Sequence, residues 1–415
     1  MKSAVLHRFG TFAQTCAATA LFASTALAQP RFTIQELAPL SGNTGSAASL
    51  GLNDMGDAVG RSTAPTLTAA AAGQRPVMWL RSNTFASPQP RDLLPNMAGF
   101  GTANDRNNVG TSVGTFRGAN ATAPLGFVVG GPSAVAPAAV FIQPLPGGTT
   151  TAANAVNDSN WVVGSSNLAF TGAVAPATHA ILWRQGQTQD LGTLGGRNSE
   201  ARDVSTDGSI VGVSDLPPST ANARTIRRAF IVPGPTYPMV GLSALGPSLS
   251  NAANAISDTA IIVGSSETLS TAISPIGPRP TRAVLWTPAS LSIINLGTLR
   301  NSDASSEALG VNDAGWVVGW SGTPSNALAP STSPNLSPTA RHGTRAFLWI
   351  EGTMHDLTGL IPPNSGWVLH AASDVNEQGQ IVGWGSRVST SVAAASQVRA
   401  FLLTPVPLDA DSRTP

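Results

Sequence analysis

Between Glu307 and Ser321 the chain reads EALGVNDAGWVVGWS. Apolar Ala308 and Val311 lead into a polar break at Asn312 and Asp313. Gly315 follows, and a second apolar run, Trp316 to Val318, ends at Gly319. Two short apolar segments around a turn-rich break predict a pair of strands joined by a tight hairpin. Six looser copies occur: SLGLNDMGDAVGRS (49–62), GTANDRNNVGTS (101–112), ANAVNDSNWVVGSS (153–166), ARDVSTDGSIVGVS (201–214), ANAISDTAIIVGSS (253–266) and ASDVNEQGQIVGWGS (372–386). Aligned on Gly60, Gly110, Gly164, Gly212, Gly264, Gly319 and Gly383, they are spaced by 50, 54, 48, 52, 55 and 64 residues. A period of that length marks a stacked or circular array of supersecondary units.

Each hairpin is followed by a short apolar run: RPVMW (75–79), HAILW (179–183), RAFIV (228–232), RAVLW (282–286), RAFLW (345–349) and RAFLL (399–403). A fourth segment comes next, as RDLL (91–94), QDLGTL (189–194), INLGTL (294–299) and HDLTGL (355–360). Each unit therefore holds four strands, A to D. Unit two is worn, and LGFVVGG (125–131) and AVFIQPL (139–145) fill its C and D positions. Unit seven stops after its third strand, and FTIQELAPL (32–40) matches the missing fourth. This expectation is an all-β, seven-bladed propeller over 29–404, closed by the N-terminal strand. Closure removes the open edges that a linear array would have to cap.

The cycle DLGTLGG, VNDxGxVVGxS and HAFLW resembles the extracellular HAF-repeat proteins of bacteria, over essentially the whole mature chain. The namesake His survives at His179, whereas Arg228, Arg282, Arg345 and Arg399 take its place elsewhere. The resemblance implies export and a repeat fold, and brings no chemistry that can be carried to particular residues.

Composition narrows the function classes. Charged residues make up 11%, while Gly and Pro number 42 and 32, a mix suited to short strands and turns. Lys2 is the sole lysine and no basic block occurs, which argues against nucleic acid. Residues 1–28 read as a signal peptide: Lys2, His7 and Arg8 start it, an apolar stretch follows, and Ala26-Leu27-Ala28 fits the cleavage pattern. Cleavage takes away Lys2, Arg8 and no acid, so the net charge passes from +1 to −1, and it takes away Cys16, the single cysteine. The expected product is a soluble monomer, secreted or periplasmic, without a membrane span, with residues 405–415 as a tail.

Candidate chemistry is sparse. The Asn-Asp-x-Gly segments read as hairpin turns, because Asn, Asp and Gly tolerate positive φ. A calcium loop would need more carboxylates than copies such as Asp158, Asp258 or Asp313 supply. The Arg or His opening strand C is expected to sit diagonal to an acid on strand D: Arg345 to Asp356, and His179 to Asp190. That predicts a pair stitching each blade, and alternatively a ring of arginines for an anionic ligand. Trp79, Trp183, Trp286 and Trp349 recur in register and read as packing between blades. Trp320 and Trp384 follow the anchor glycine only in neighbouring units six and seven. With Arg345 and His342 they form the candidate ligand set, the tryptophans either stacking on sugar rings or packing in the core. GTSVG (110–114) matches a nucleophile motif by chance, since no helix follows. No catalytic residues, metal ligands or cofactors are expected.

Length variation gathers in the B–C loops, such as 63–74, 267–281 and 322–343. The expected partner, a carbohydrate or protein, engages that face. The leading functional reading is an exported non-catalytic binding or scaffold propeller. The alternatives are a secreted glycan lyase or hydrolase, and a purely structural surface protein.

Overall fold

A computed structural model describes residues 29–40, 45–63, 74–81, 88–130, 138–170, 172, 175–220, 224–269, 279–288, 290–323, 343–387 and 398–407. The expected signal peptide and most of the tail, His342, and most of the long B–C loops lie outside them. The described chain forms seven four-stranded antiparallel sheets arranged as the blades of one propeller. In blades one to six the spatial order of the strands is their order in the chain.

Blade seven is the exception that closes the ring. Its first three strands are Trp367–Val375, Ile381–Arg387 and Arg399–Pro405, and the fourth is Phe32–Leu37 from the other end of the chain. The register places Phe32 opposite Pro405 and Glu36 opposite Phe401. The closure expected from 32–40 is therefore present.

The hairpins are uniform. The A–B connection is five residues long in all seven blades: 53–57, 107–111, 157–161, 205–209, 257–261, 312–316 and 376–380. The B–C connection, by contrast, ranges from six residues (119–124) to twenty-one (323–343).

The register corrects the alignment of unit two. Ala103 pairs with Gly114, as Ser49 does with Gly60 and Ala153 with Gly164. The anchor glycine is thus Gly114, and Gly110 (φ +90°) is the turn glycine, equivalent to Gly56 (φ +84°). Asn104 and Asp105 imitate the Asn-Asp of the other turns, but they belong to strand A. Ser112 consequently aligns with Val162 and not with Ser166. In blade four, Phe230 pairs with Gly241, so glycine stands where blades one, three, six and seven hold an acid.

Hydrophobic burial lies between blades. Seven clusters fill the seven interfaces; one example holds Leu37, Leu52, Val77, Trp79, Val382 and Leu402 between blades seven and one. Trp79, in that cluster, and Trp286, in the cluster between blades four and five, are fully buried, and their indole N–H groups donate to Ala38 O and Ser243 O, each at 2.8 Å. Trp183 and Trp349 pack partly buried against the equivalent clusters. Trp79 and Trp286 thus leave water without stranding their one polar atom.

Candidate functional site: the central channel

Strand A is the innermost strand of every blade, and its pairing with strand B shifts at one equivalent place in all seven, with a second shift in blade seven between Leu369 and Ala371. The A–B register shifts between Ser49 and Gly51, Ala103 and Asp105, Ala153 and Ala155, Ala201 and Asp203, Ala253 and Ala255, Ala308 and Gly310, and Ala372 and Asp374. A β-bulge adds one residue and re-aims the side chains around it. Here the added residues, among them Asn104, Asn154, Arg202 and Asn254, line a cavity of about 110 Å³ on the propeller axis. Leu50, Leu309 and Trp384 make the opposite, apolar sector of its wall.

Just after the bulge, the seven blades present Gly51, Asp105, Ala155, Asp203, Ala255, Gly310 and Asp374 to each other. Each aspartate uses both oxygens. Asp105 Oδ2 accepts Val156 N–H of the next blade at 2.8 Å, and Oδ1 accepts Arg106 N–H at 2.7 Å. Asp203 does the same with Ile256 and Val204, and Asp374 with Leu52 and Val375. The carboxylates thereby satisfy N–H groups on the open edge of the neighbouring inner strand.

These carboxyls border the cavity on one side and are walled in by the blades on the others. Desolvation pushes Asp105 up to about 6, with repulsion from Asp158 adding to it. Desolvation, then the charge of Asp105, pushes Asp203 up to about 7. Asp374 lies well above the ordinary carboxylate range through desolvation and the charges of Asp105 and Asp203. Hydrogen bonds to backbone N–H oppose the shift in all three and are outweighed.

The bulge residues form a second belt of blade-to-blade bonds. Asn104 Nδ2 donates to Ala153 O, Asn154 to Ala201 O, Asn254 to Ala308 O, and Ser373 Oγ to Ser49 O, all within 2.7–2.8 Å. Arg202 donates to Asn254 Oδ1 and lies 3.6 Å from Glu200.

At the far end of strand A the Asn-Asp-x-Gly turns interlock. Asn53 Oδ1 accepts N–H groups of Met55 and Asp57 within its own turn, while Nδ2 donates to Asn107 O of the next. Asn107 donates to Asn157 O, Asn157 to Ser205 O, Asn312 to Asn376 O, and Asn376 back to Asn53 O. The acids one position on repeat the pattern: Asp54 Oδ1 accepts Glu377 N–H, and Glu377 Oε1 accepts Asp313 N–H. The repeated motif is a hairpin turn and also a clasp between blades. Among the described residues no group of His, Cys, Asp and Glu is placed to hold a metal ion.

The residues singled out from sequence fall as follows. Arg345 faces Asp356 diagonally across strands C and D at 4.0 Å, as expected, both part-exposed, with Phe347 directly opposite Asp356. His179 bonds to Asp190 at 2.9 Å. The same slot is filled by Arg75 with Asp92 in blade one and by Arg399 with Glu36 in blade seven. These are pairs stitching the blades. Trp320 and Trp384 do come together, in one cluster with Ala48, Ala371 and Val398, but they are only 5% and 1% exposed. Of the two readings, stacking on sugar rings and packing in the core, this burial favours packing in the core. Their slot on strand B faces the adjoining blade beside the channel, so the rings pack edge to core, and Trp320 Nε1 donates to Glu307.

Sequence reasoning missed Asp105, Asp203 and Asp374. Their signal was an acid two residues before the turn in three units where the others hold Gly or Ala. The misplaced register of unit two concealed Asp105.

No family model and no curated protein matches the chain. Among solved structures, the β-propeller domain of the trilobed protease from Pyrococcus furiosus, described as having an open Velcro topology, is similar at TM-score 0.51 and 9% identity, over 88% of this chain and 99% of that one. An oligogalacturonate lyase in complex with manganese is similar at TM-score 0.52 and 10% identity, over 91% and 97%. Both likenesses are of fold: this chain is similar to other propellers, and its own ring is closed by the N-terminal strand.

Proposed function

We propose that the chain is an exported, non-catalytic propeller of the HAF-repeat type. It acts as a binding or scaffold module at the cell surface or outside the cell. Its ligand, a polysaccharide or a protein, engages the face carrying the B–C connections. The observation that supports this reading is where the polar side chains go. The channel asparagines, aspartates and turn residues are taken up in bonds from blade to blade, so they serve the frame. Variation is left to the B–C connections, whose lengths differ more than threefold while the A–B connections never change.

The test is to screen the secreted protein against a glycan panel and surface extracts, then replace 324–342 with a short Gly-Ser linker. Retention of a polysaccharide or protein without release of shorter products, lost on loop replacement, supports the reading. Binding unaffected by loss of the loop, or depolymerisation of a glycan, overturns it.

A secreted glycan lyase or hydrolase is the second reading. It draws on the channel carboxyls, which are raised towards neutrality as acid–base groups are. It requires product release from a polysaccharide, abolished in Asp203→Asn.

A further inference from the structure

The seven residues that meet around the axis alternate between acids and the two smallest side chains: Gly51, Asp105, Ala155, Asp203, Ala255, Gly310 and Asp374. No two acids are neighbours. In a ring of seven, three is the largest number of acids that avoids adjacency, so the ring is full. The small residues are required by the close approach of the strands. A Cβ on Gly310 would meet Asp374 Cα at 2.9 Å and its Oδ1 at 3.1 Å, and one on Gly51 would meet Asn104 O at 2.8 Å. Each acid also spans a blade interface: Asp105 joins blades two and three, Asp203 four and five, and Asp374 the closing pair, seven and one.

We propose that the ring of Asp105, Asp203 and Asp374 is a pH-sensitive element of the fold, which holds the blades together most firmly when it carries protons and loosens them when all three carboxylates are ionised. Three like charges then share one narrow axial cavity, their carboxyls buried among the blades. The other charges around the ring do little to cancel them. Asp158 and Asp258, in the turns on one side, add repulsion. Arg106, beside Asp105, is engaged with Asp57 at 3.3 Å and with Ser112. Arg202, on the cavity wall, is shared with Glu200 and Asn254.

The sign follows from linkage. Folded-state values above the unfolded one mean that the native state binds more protons across the window between them, so stability falls as pH rises through it. The window runs from the ordinary value of 3.8 to about 7. An exported protein built this way is tightest in mildly acid surroundings.

The experiment is a set of thermal unfolding midpoints for the mature protein between pH 5 and pH 8, beside Asp105→Asn, Asp203→Asn, Asp374→Asn and the triple variant. An amide accepts only one of the two N–H groups each carboxylate holds, so every variant is expected to melt lower at all pH values. The slope against pH is the readout. Wild type is expected to lose several degrees from pH 5 to pH 8, each single variant less, and the triple variant close to none. A wild-type midpoint independent of pH, or a triple variant that keeps the wild-type slope, overturns the proposal. If the triple variant does not fold, ¹³C-aspartate carboxyl titration of the unmodified protein decides. Three resonances with midpoints near neutrality, each missing from one single variant, support the ring, and midpoints all near 4 overturn it.

Discussion

Glu36, the fifth residue of the strand Phe32–Leu37, lies opposite Phe401 of the last strand, with its carboxylate 3.5 Å from Arg399. That is the place Asp92, Asp190 and Asp356 hold in blades one, three and six. The two ends of the chain thus complete one repeat between them. Deleting residues 29–37 leaves the edge of Arg399–Pro405 unpaired and uncovers Phe401 and Leu403. The expected outcome is loss of the single cooperative transition and formation of aggregates, read by calorimetry and light scattering. A synthetic peptide covering 29–40, added in trans, is expected to restore part of the transition. Glu36→Ala alone should cost only about 0–1 kcal/mol, because its ion pairs are partly solvated.

Arg75 and Arg345 occupy one slot in two blades and are expected to behave differently. Arg75 is 5% exposed, bonds to Asp92 at 2.8 Å and donates to the carbonyls of Leu94, Met97 and Gly99. Arg75→Ala leaves Asp92 without its cation and takes a donor from each of three carbonyls, for an expected loss of roughly 3–5 kcal/mol in urea unfolding. Arg345→Ala breaks a part-exposed contact of 4.0 Å and should cost about 1 kcal/mol or less. Equal losses would contradict this account of the stitching pairs.

Asn376 closes the turn ring. It donates to Asn53 O at 3.0 Å and accepts Gln380 N–H at 2.8 Å. Asn376→Ala leaves Gln380 N–H unmet and takes one of two donors from Asn53 O, which keeps Gly56 N–H, and should cost on the order of 2 kcal/mol by chemical denaturation. Asn376→Ser should cost less, because Ser205 and Ser257 open the same turn in blades four and five.

Trp384 is expected to report a core and not a surface. Trp384→Ala should lose roughly 3–5 kcal/mol, as large buried aromatics do. Acrylamide should quench its fluorescence, measured as the difference from Trp384→Phe, far less than that of a free indole. A solvent-accessible Trp384 that can be truncated without loss of stability would revive the sugar-stacking reading.

Much of the fold was legible in the chain because its determinants are local. The Asn-Asp-x-Gly break, five residues long in each blade, sets a hairpin by its own backbone preferences, and the apolar C strands recur with it. Counting strands then forced 32–40 to complete the last blade. The diagonal relation of Arg345 to Asp356 and of His179 to Asp190 was likewise readable, because strands C and D lie close together in the chain. Unit two failed because Asn104-Asp105 and Asn107-Asn108 are equally good turn residues by type, and only pairing with strand B decides between them.

By itself, then, the sequence determined the repeat and the strand count, since each depends on turns and short segments within about fifty residues, and the closure followed from counting, because unit seven lacks the strand that 32–40 supplies. Only the tertiary structure decided which residues face the axis. A bulge of one residue in every inner strand turns Asn104, Arg202 and Asp203 inward, and a one-residue shift exchanges the faces of a strand. The environment of Asp105, Asp203 and Asp374 is likewise collective. Their desolvation and mutual repulsion arise from blades far apart in the chain, brought together only when the ring is closed.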